Sequence, residues 1–296
     1  MGVKHNSCGA AVAAELPWRT RLFVHFGSFI LDACRLSHLI LRFLRNVDLK
    51  SPPSSKPING VSSSDINVDP SRNLWFRLYL PPSTTTTTTT TTLLPLLIYF
   101  HGVTVASANY RLAPNHRYPS QYDDGFESLK FIDAHNYAVL PSNIDLNHCF
   151  HVGAGASTST SGNIARHVAV RYGRHEFEKL SIIGLVEIQP FFGGEERSES
   201  ELRLSRDPFL KSNATGGDVS EVVKFLATLV VVGGGDPLQD WQRRYVEGLK
   251  KSGKEVKLIE YPNAIHGFYI FPELPQLWYL IAEVRDFIQS QSARNA

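Results

Sequence analysis

The sequence predicts an α/β fold, in which helices cover both faces of a mostly parallel central sheet. The chain has 296 residues, of which 43% are hydrophobic and 20% charged, which is enough to bury the core of one large domain. From residue 94 onward, apolar runs typical of buried strands alternate with helical segments. Such alternation favours parallel strands connected by helices that pack on the two faces of the sheet.

The individual elements follow from local patterns. The alternating segment Leu74–Tyr79 predicts an early, antiparallel edge strand. Further strands are predicted at Leu94–Phe100, Val103–Ala108, Cys149–Val152, Ile182–Ile188, Ala227–Val232 and Val256–Tyr261. Helices are predicted at Tyr122–His135, Asn163–Tyr172, Gln239–Ser252 and Pro275–Gln289.

The N-terminal part of the chain differs in composition from the rest. The stretch Leu22–Leu44 is apolar, but charged residues and histidines interrupt it throughout, which favours an amphipathic helix covering the core over a membrane span. A Pro- and Ser-rich stretch at Ser51–Ser64 then predicts a linker. We therefore divide the chain into an N-terminal helical segment with its linker, residues 1–60, and a main domain, residues 61–296.

Charge balance and cysteine usage restrict the partners. With 30 basic and 28 acidic residues, the chain has no sustained basic field, which argues against nucleic acid or an anionic membrane and for a small molecule. Cys8, Cys34 and Cys149 are odd in number, far apart and without the spacing of metal ligands. We expect reduced thiols in a cytoplasmic protein and no metal site. We recognise no signal peptide.

Two residues at the ends of predicted strands suggest an acid–base pair. Asp236 follows the strand at 227–232 and His266 follows the next strand, so both are expected at the carboxyl edge of the sheet, where active sites of such folds lie. A buried carboxylate that accepts a hydrogen bond from one imidazole nitrogen leaves the other nitrogen to take a proton from a serine. The alternatives are a helix N-cap before Pro237 for Asp236 and a plain surface residue for His266.

Five segments together resemble the plant carboxylesterases of the hormone-sensitive-lipase branch of the α/β-hydrolases, a family that includes the gibberellin receptors. They are Asn109–Pro114, Tyr122–Gly125, Gln189–Gly194, Gly235–Leu238 and His266–Phe268. The resemblance implies an α/β-hydrolase fold with an N-terminal helical lid, and hydrolysis of carboxylic esters by a Ser-His-Asp triad without a cofactor. It assigns Asp236 as the acid and His266 as the base, and suggests a monomer or weak homodimer. Compared with the family, the cap segment around residues 195–222 is short.

The serine motif departs from the family pattern. The family places its nucleophile in Gly-Asp-Ser-Ala-Gly-Gly-Asn-Ile, on a strained turn from strand to helix. Here residues 153–164 read Gly-Ala-Gly-Ala-Ser-Thr-Ser-Thr-Ser-Gly-Asn-Ile, and alignment backward from Gly162 makes Ser159 the nucleophile. Ser157, preceded by Gly155, is a second candidate. The alternative is a polar loop that caps a helix at Asn163.

The oxyanion loop is also altered. The family has His-Gly-Gly-Gly, whose backbone N–H groups stabilise the negatively charged tetrahedral intermediate, whereas this chain has only His101-Gly102 before Val103. The remaining candidate donors are the N–H groups of Gly102 and Thr160. Because neighbouring parallel strands need a connection of about a dozen residues, we expect the sheet to be locally truncated here and unable to form in its ordinary way.

Three hypotheses about function remain. The first is a carboxylic-ester hydrolase acting on a small ester, with its competence impaired by the altered serine and oxyanion motifs. The second is a non-catalytic pseudoenzyme of the same fold that binds a hydrophobic small ligand. The third is a defective gene product, because segments are missing between well-matched blocks.

Overall fold

The structure is a computed structural model and describes residues 16–22, 52–81, 93–100, 106–111, 116, 118–154, 160–192, 198–203 and 225–296. The strands are β1 (Ser62–Asp69), β2 (Leu74–Leu80), β3 (Leu94–Phe100), β4 (Ala106–Asn109), β5 (Ile144–Ala154), β6 (Ile182–Ile188), β7 (Ala227–Gly235) and β8 (Val256–Ile265). The α-helices are α1 (Ser120–His135), α2 (Thr160–Tyr172), α3 (Glu199–Arg203), α4 (Gln239–Lys251) and α5 (Pro275–Asn295). Short 3-10 helices lie at Pro70–Arg72, Asn136–Ala138 and Phe268–Ile270.

The strands form one sheet of eight in the order β1-β2-β4-β3-β5-β6-β7-β8. β2 pairs antiparallel with both β1 and β4, and the other neighbours pair in parallel. Side chains alternate between the two faces: on β7, Leu229 and Val231 belong to the apolar cluster that includes α5, whereas Val230 and Val232 pack with Val246 of α4. The predicted mostly parallel sheet with helices on both faces is confirmed.

The sheet begins one strand earlier than the sequence indicates. β1 lies outside β2 and pairs antiparallel with it, so the prediction of an edge strand at residues 74–79 is wrong, and the predicted linker ends before Ser64. The sequence of β1, Ser-Ser-Ser-Asp-Ile-Asn-Val-Asp, is mostly polar. An outer strand needs to bury only part of one face, and here Ile66 and Val68 pack against the core.

β3 and β4 pair in parallel, although few residues connect them. The pairing joins Ile98 to Ala106 and Tyr99 to Ser107, and the connecting residues 101–105 lie outside the described part of the chain. The expectation that the two strands cannot pair as ordinary parallel neighbours is therefore wrong. β2 is the neighbour on the other side of β4 and explains much of the placement of β4, because four residue pairs join the two strands.

An ion pair attaches the end of β4 to α1. The buried carboxylate of Asp124 accepts hydrogen bonds from the Arg111 backbone N–H at 2.9 Å and from the Arg111 guanidinium at 2.8 Å. A buried carboxylate is stable only with such partners. Two of the segments that carry the family resemblance therefore meet in the structure.

The N-terminal segment and the cap segment are described only in part. Residues 18–22 are helical, and Thr20 donates a hydrogen bond to Glu273 at 2.7 Å, so this turn lies against the start of α5. Within residues 195–222, the structure describes 198–203, which contain α3. The structure also describes residues 52–60 of the predicted linker, whereas the predicted helix at Leu22–Leu44, apart from Leu22, and the rest of the cap segment lie outside the described residues.

The described residues also bear on membranes, metals and thiols. None of the described helices has both the length and the apolar character needed to cross a bilayer. The same residues contain no cluster of three His, Cys, Asp or Glu side chains placed to hold a metal ion. Cys149 is a buried free thiol, while Cys8 and Cys34 fall outside the part that the structure describes.

Two glycine-to-alanine variants test the packing of β6. A Cβ at position 184 on β6 would meet the Phe150 ring at 2.7 and 2.8 Å, whereas one at position 248 on α4 would meet nothing within 4 Å. We expect Gly184→Ala to lower the free energy of unfolding by about 1–3 kcal/mol, and Gly248→Ala to raise it by about 0.5–1 kcal/mol. Urea unfolding followed by circular dichroism measures both changes. A neutral Gly184→Ala would contradict the packing.

Candidate active site

The structure brings Asp236 and His266 into contact at the carboxyl ends of two neighbouring strands. Asp236 immediately follows β7, and His266 immediately follows β8. His266 Nδ1 lies 2.9 Å from Asp236 Oδ2. The side chain of His266 is 5% exposed and that of Asp236 is 0% exposed, so water screens their interaction only weakly.

An irregularity in the β7–β8 pairing places the two residues side by side. The register shifts between Gly233 and Gly235, so that Gly235 pairs with Ile265. These are the last residues of the two strands, and the residue that follows each of them is a member of the acid–base pair. The close approach requires glycine: a Cβ at Gly234 would lie 2.0 Å from the carbonyl oxygen of Pro262. The run of three glycines before Asp236 is therefore a packing requirement of the site.

Three groups donate hydrogen bonds to the Asp236 carboxylate. Oδ1 accepts the backbone N–H of Leu238 at 2.9 Å. Oδ2 accepts the Nδ1–H of His266 and the Nε2–H of Gln242, both at 2.9 Å. Such donors replace the hydrogen bonds to water that a buried carboxylate loses. Helix α4 begins at Gln239 with Leu238 as its N-cap and no side-chain cap, so Asp236 is not the N-cap of this helix. Its Oδ1 bonds the turn before α4, and its Oδ2 orients His266.

The hydrogen bond to Asp236 determines which nitrogen of His266 can act as a base. Because an ionised carboxylate can only accept, the neutral imidazole carries its proton on Nδ1. The lone pair is then on Nε2, on the side of the ring away from the carboxylate. A general base needs this arrangement to take a proton from a hydroxyl group.

The candidate serines lie in the connection between β5 and α2. β5 ends at Ala154 and α2 begins at Thr160, so Ser157 and Ser159 occupy a strand-to-helix connection, and both are outside the described residues. The oxyanion candidate Gly102 is outside them as well, whereas Thr160 is the first residue of α2. The bounds of β5 and α2 thus place the serine segment between a strand and a helix of the fold.

The start of helix α2 contradicts the predicted polar loop that caps a helix at Asn163. Thr160 starts the helix, so Asn163 lies inside it and is not its N-cap. The Asn163 side chain instead donates a hydrogen bond to the carbonyl of Phe191 at 3.5 Å. A Cβ at Gly162 would lie 2.8 Å from Pro190. The first turn of α2 therefore packs closely against the segment that follows β6.

Two buried glutamines at the site are not singled out by the sequence. Gln242 of α4 donates to Asp236, and Gln189, directly after β6, bonds to the backbone on both sides of His266. For Gln242, the sequence offers one signal of a role at the site: this residue lies in a predicted helix, six residues after Asp236. Gln189 is the first residue of the segment Gln189–Gly194 that carries part of the family resemblance, but no local pattern indicates that its side chain turns toward β8.

A buried charged cluster lies between α2 and α4. Glu187 on β6 and Arg166 on α2 are almost fully buried, and the Arg166 guanidinium lies 5.6 Å from the ring centre of Tyr245 on α4. Burial raises the pKa of Glu187 to about 8. The carboxyl is therefore largely protonated at neutral pH, which reduces the cost of placing it in the core.

Comparison with known proteins places this geometry in a family. A family profile described as alpha/beta hydrolase fold matches residues 83–216 and 212–270. The chain belongs to the α/β-hydrolase family. The chain is 32% identical over 302 residues to gibberellin receptor GID1C of Arabidopsis thaliana, covering 83% of this chain and 86% of the receptor. It is also 32% identical over 270 residues to Carboxylesterase 20 of the same plant, covering 73% and 81%.

Solved esterase structures share the fold of this α/β-hydrolase. An esterase from Pyrobaculum calidifontis superposes with a TM-score of 0.67 at 20% identity, covering 94% of this chain and 99% of the esterase. At this identity the likeness shows the fold. The plant relatives place the chain in the branch of carboxylesterases and gibberellin receptors that its motifs resemble, so that recognition is confirmed.

The raised pKa of Glu187 predicts a pH-dependent stability. The folded protein keeps this carboxyl protonated up to about pH 8, whereas the unfolded chain loses the proton near the ordinary value of 4.5. The folded state therefore binds more protons in this window, and the contribution of Glu187 to stability falls as the pH rises through it. We expect Glu187→Gln to become increasingly stabilising relative to the wild type from pH 5 to 8.

Urea unfolding of both proteins at several pH values in this window measures the difference. Parallel stability curves for the wild type and Glu187→Gln would contradict the prediction. Glu283→Gln is a matched control, because Glu283 is an exposed carboxylate that pairs with Lys257 at 2.8 Å on the surface. An exposed pair of this kind contributes little to stability, so we expect no comparable trend over the same pH range.

Proposed function

We propose that this α/β-hydrolase is a carboxylesterase-type serine hydrolase for a small ester. The proposal is carried by the nearly buried Asp236–His266 pair, 2.9 Å apart at the carboxyl ends of β7 and β8. The similarity to Carboxylesterase 20 over most of the chain supports it. Ser159 is the proposed nucleophile, with Ser157 as the alternative.

The proposed reaction has two halves that use the same three residues. In acylation, the Ser159 hydroxyl attacks the ester carbonyl while His266 Nε2 takes its proton, and Asp236 stabilises the imidazolium that forms. His266 then returns the proton to the departing alcohol, leaving an acyl-serine. In deacylation, water attacks the acyl group with His266 again as the base, and the acid and free Ser159 are released. No cofactor is needed for either half.

The altered oxyanion loop is expected to slow this reaction. We propose the backbone N–H groups of Gly102 and Thr160 as the donors to the tetrahedral intermediate. The loss of one donor lowers the rate on the order of 10²- to 10³-fold. We therefore expect slow turnover in comparison with relatives that have the full His-Gly-Gly-Gly loop.

The alternative is a non-catalytic protein of the same fold that binds a hydrophobic small ligand. The similarity to gibberellin receptor GID1C favours this reading, as do the departures in the serine and oxyanion segments. Catalysis or binding is proposed for a cytoplasmic monomer or weak homodimer.

Labelling with a fluorophosphonate probe tests the catalytic proposal without knowledge of the substrate. We expect the probe to modify Ser159, as located by peptide mapping. The labelling rate should fall by about 10²- to 10⁴-fold in His266→Ala, because the general base is removed. Ser159→Ala should abolish labelling and Ser157→Ala should retain it. His135→Ala is a matched control, since the exposed His135 ring bonds only locally, to the carbonyl of Phe131 at 3.0 Å.

The other outcomes separate the remaining hypotheses. Label at Ser157 would reassign the nucleophile, and label that is indifferent to His266→Ala would reject the triad. A folded protein that takes no label, but whose melting temperature rises with a gibberellin, would support the binding protein. A transcript that carries additional residues after Gly102 and in the cap would show that this sequence is an incorrectly assembled version of an active gene and would favour the esterase.

A further inference from the structure

We propose that Gln189 and Gln242 are positioning residues for the acid–base pair. They complete a closed chain of hydrogen bonds. Gln242 connects Asp236 to Pro190, and Gln189, the residue before Pro190, bonds to the backbone on both sides of His266. The imidazole of His266 closes the chain at Asp236. The inference rests on the proposed function for the chemical role of His266. The positioning itself is a property of the folded protein and can be tested without esterase activity.

Gln242 connects the acid to the segment after β6. The side chain is fully buried on α4, and its Nε2 donates hydrogen bonds to Asp236 Oδ2 at 2.9 Å and to the carbonyl of Pro190 at 3.1 Å. The reversed amide orientation would place its oxygen against these two acceptors, so the network determines the orientation. Gln242 therefore acts on the same carboxylate oxygen that orients His266.

Gln189 holds the backbone on both sides of His266. Its Nε2 donates to the carbonyl of Ile265 at 3.0 Å, and its Oε1 accepts the N–H of Gly267 at 2.7 Å. The residue is itself anchored, because its backbone N–H donates to the carbonyl of Val231 on β7 at 2.9 Å. One buried side chain thus fixes the peptide groups from which the imidazole projects.

The backbone at Gln189 is in a conformation that disfavours a glutamine. Its φ is 46°, and among the described residues the other non-glycine residues with positive φ are asparagines. Glycine would adopt this conformation without the cost in free energy that a larger side chain incurs. Strained residues of this kind persist where the surroundings determine them, often at functional sites. The two hydrogen bonds to the His266 segment account for a glutamine here.

Space for the Gln189 side chain depends on a glycine of β7. A Cβ at Gly233 would lie 2.5 Å from Gln189 Nε2 and 2.5 Å from the carbonyl oxygen of Ala264. Even the smallest side chain would therefore displace the amide or push β7 and β8 apart. The glycine run before Asp236 thus serves both the acid and the residue that holds the base.

An uncharged amide suits the position of Gln242. A Lys or Arg there would form an ion pair with Asp236 and compete with His266, and an acidic residue would repel the carboxylate. An amide donates a hydrogen bond without neutralising the carboxylate. The negative charge is then retained for the imidazolium that forms when His266 takes a proton.

The closed chain of hydrogen bonds does not include the altered segments. Its members lie at the ends of β6, β7 and β8 or on α4, and none belongs to residues 101–105 or 155–159. Pro190, which accepts from Gln242, also packs on Gly162 in the first turn of α2. We therefore expect the acid–base half to be assembled whether or not a serine is competent.

The test is nuclear magnetic resonance of protein labelled with ¹⁵N-histidine, with the His266 signal assigned from its loss in His266→Ala. We expect the Nδ1-bound proton of His266 to resonate far downfield and to exchange slowly with water. Gln242→Leu and Gln189→Leu should accelerate this exchange by about 10- to 100-fold, because the imidazole is no longer held against Asp236. Gln291→Leu is the matched control: Gln291 is also buried and donates to a carboxylate, Glu255, at 2.9 Å, but lies on α5.

The isosteric variant Gln242→Glu should give a pH-dependent signal that a general loss of stability would not produce. A protonated carboxyl at position 242 can donate to Asp236 as the amide does, and an ionised one cannot. We therefore expect Gln242→Glu to protect the His266 proton at low pH and to lose that protection as the pH rises. Gln189→Glu keeps the side-chain volume and removes the donor to Ile265. These two variants carry the test if the leucine variants fail to fold.

Unchanged proton exchange in Gln242→Leu and Gln189→Leu would overturn the proposal, as would a wild-type protein without a protected His266 proton. If the fluorophosphonate does not label the wild type, but the glutamine variants lose the protected proton, the proposed function fails and the positioning role stands. If the wild type is labelled, we expect its labelling rate to fall by about 10- to 100-fold in both leucine variants and to be unchanged in Gln291→Leu.

Discussion

A carboxylate with no exposure to water, that of Asp236, is the constraint on which the carboxyl edge of this sheet depends. An ionised group in such a place must find its donors within the protein. They come from the backbone at the start of α4, from a side chain further along that helix, and from the imidazole after β8. The glycines of β7 and its irregular pairing with β8 allow the imidazole that follows β8 to come close to this carboxylate.

The molecule divides into an assembled half and an altered half. The acid, the base and the two glutamines belong to the part built by β6, β7, β8 and α4. The departures from the family pattern fall after β3, after β5 and in the cap. The eight-stranded sheet forms in spite of them, because apolar side chains of the strands pack against the helices on its two faces.

This separation of fold from machinery fits the relatives of the chain. Proteins named as gibberellin receptors and proteins named as carboxylesterases both match it over most of their length. One fold thus hosts binding and hydrolysis, and the fold alone does not choose between them. Under the proposed function, the choice depends on the serine segment after β5 and on the proposed oxyanion donors, because a tetrahedral intermediate needs backbone N–H groups to stabilise its charge.

The sequence by itself determined the class of fold, most of the strands and helices, and the meeting of Asp236 and His266 at one edge. These follow from local periods and from the rule that the carboxyl ends of parallel strands lie together. It did not reveal β1, whose polar residues resemble a linker, nor the parallel pairing of β3 with β4. Only the tertiary structure decided the roles of Gln189 and Gln242. Three of their four side-chain hydrogen bonds join groups 52 to 78 residues apart, and no local pattern encodes contacts that exist only after the sheet has assembled.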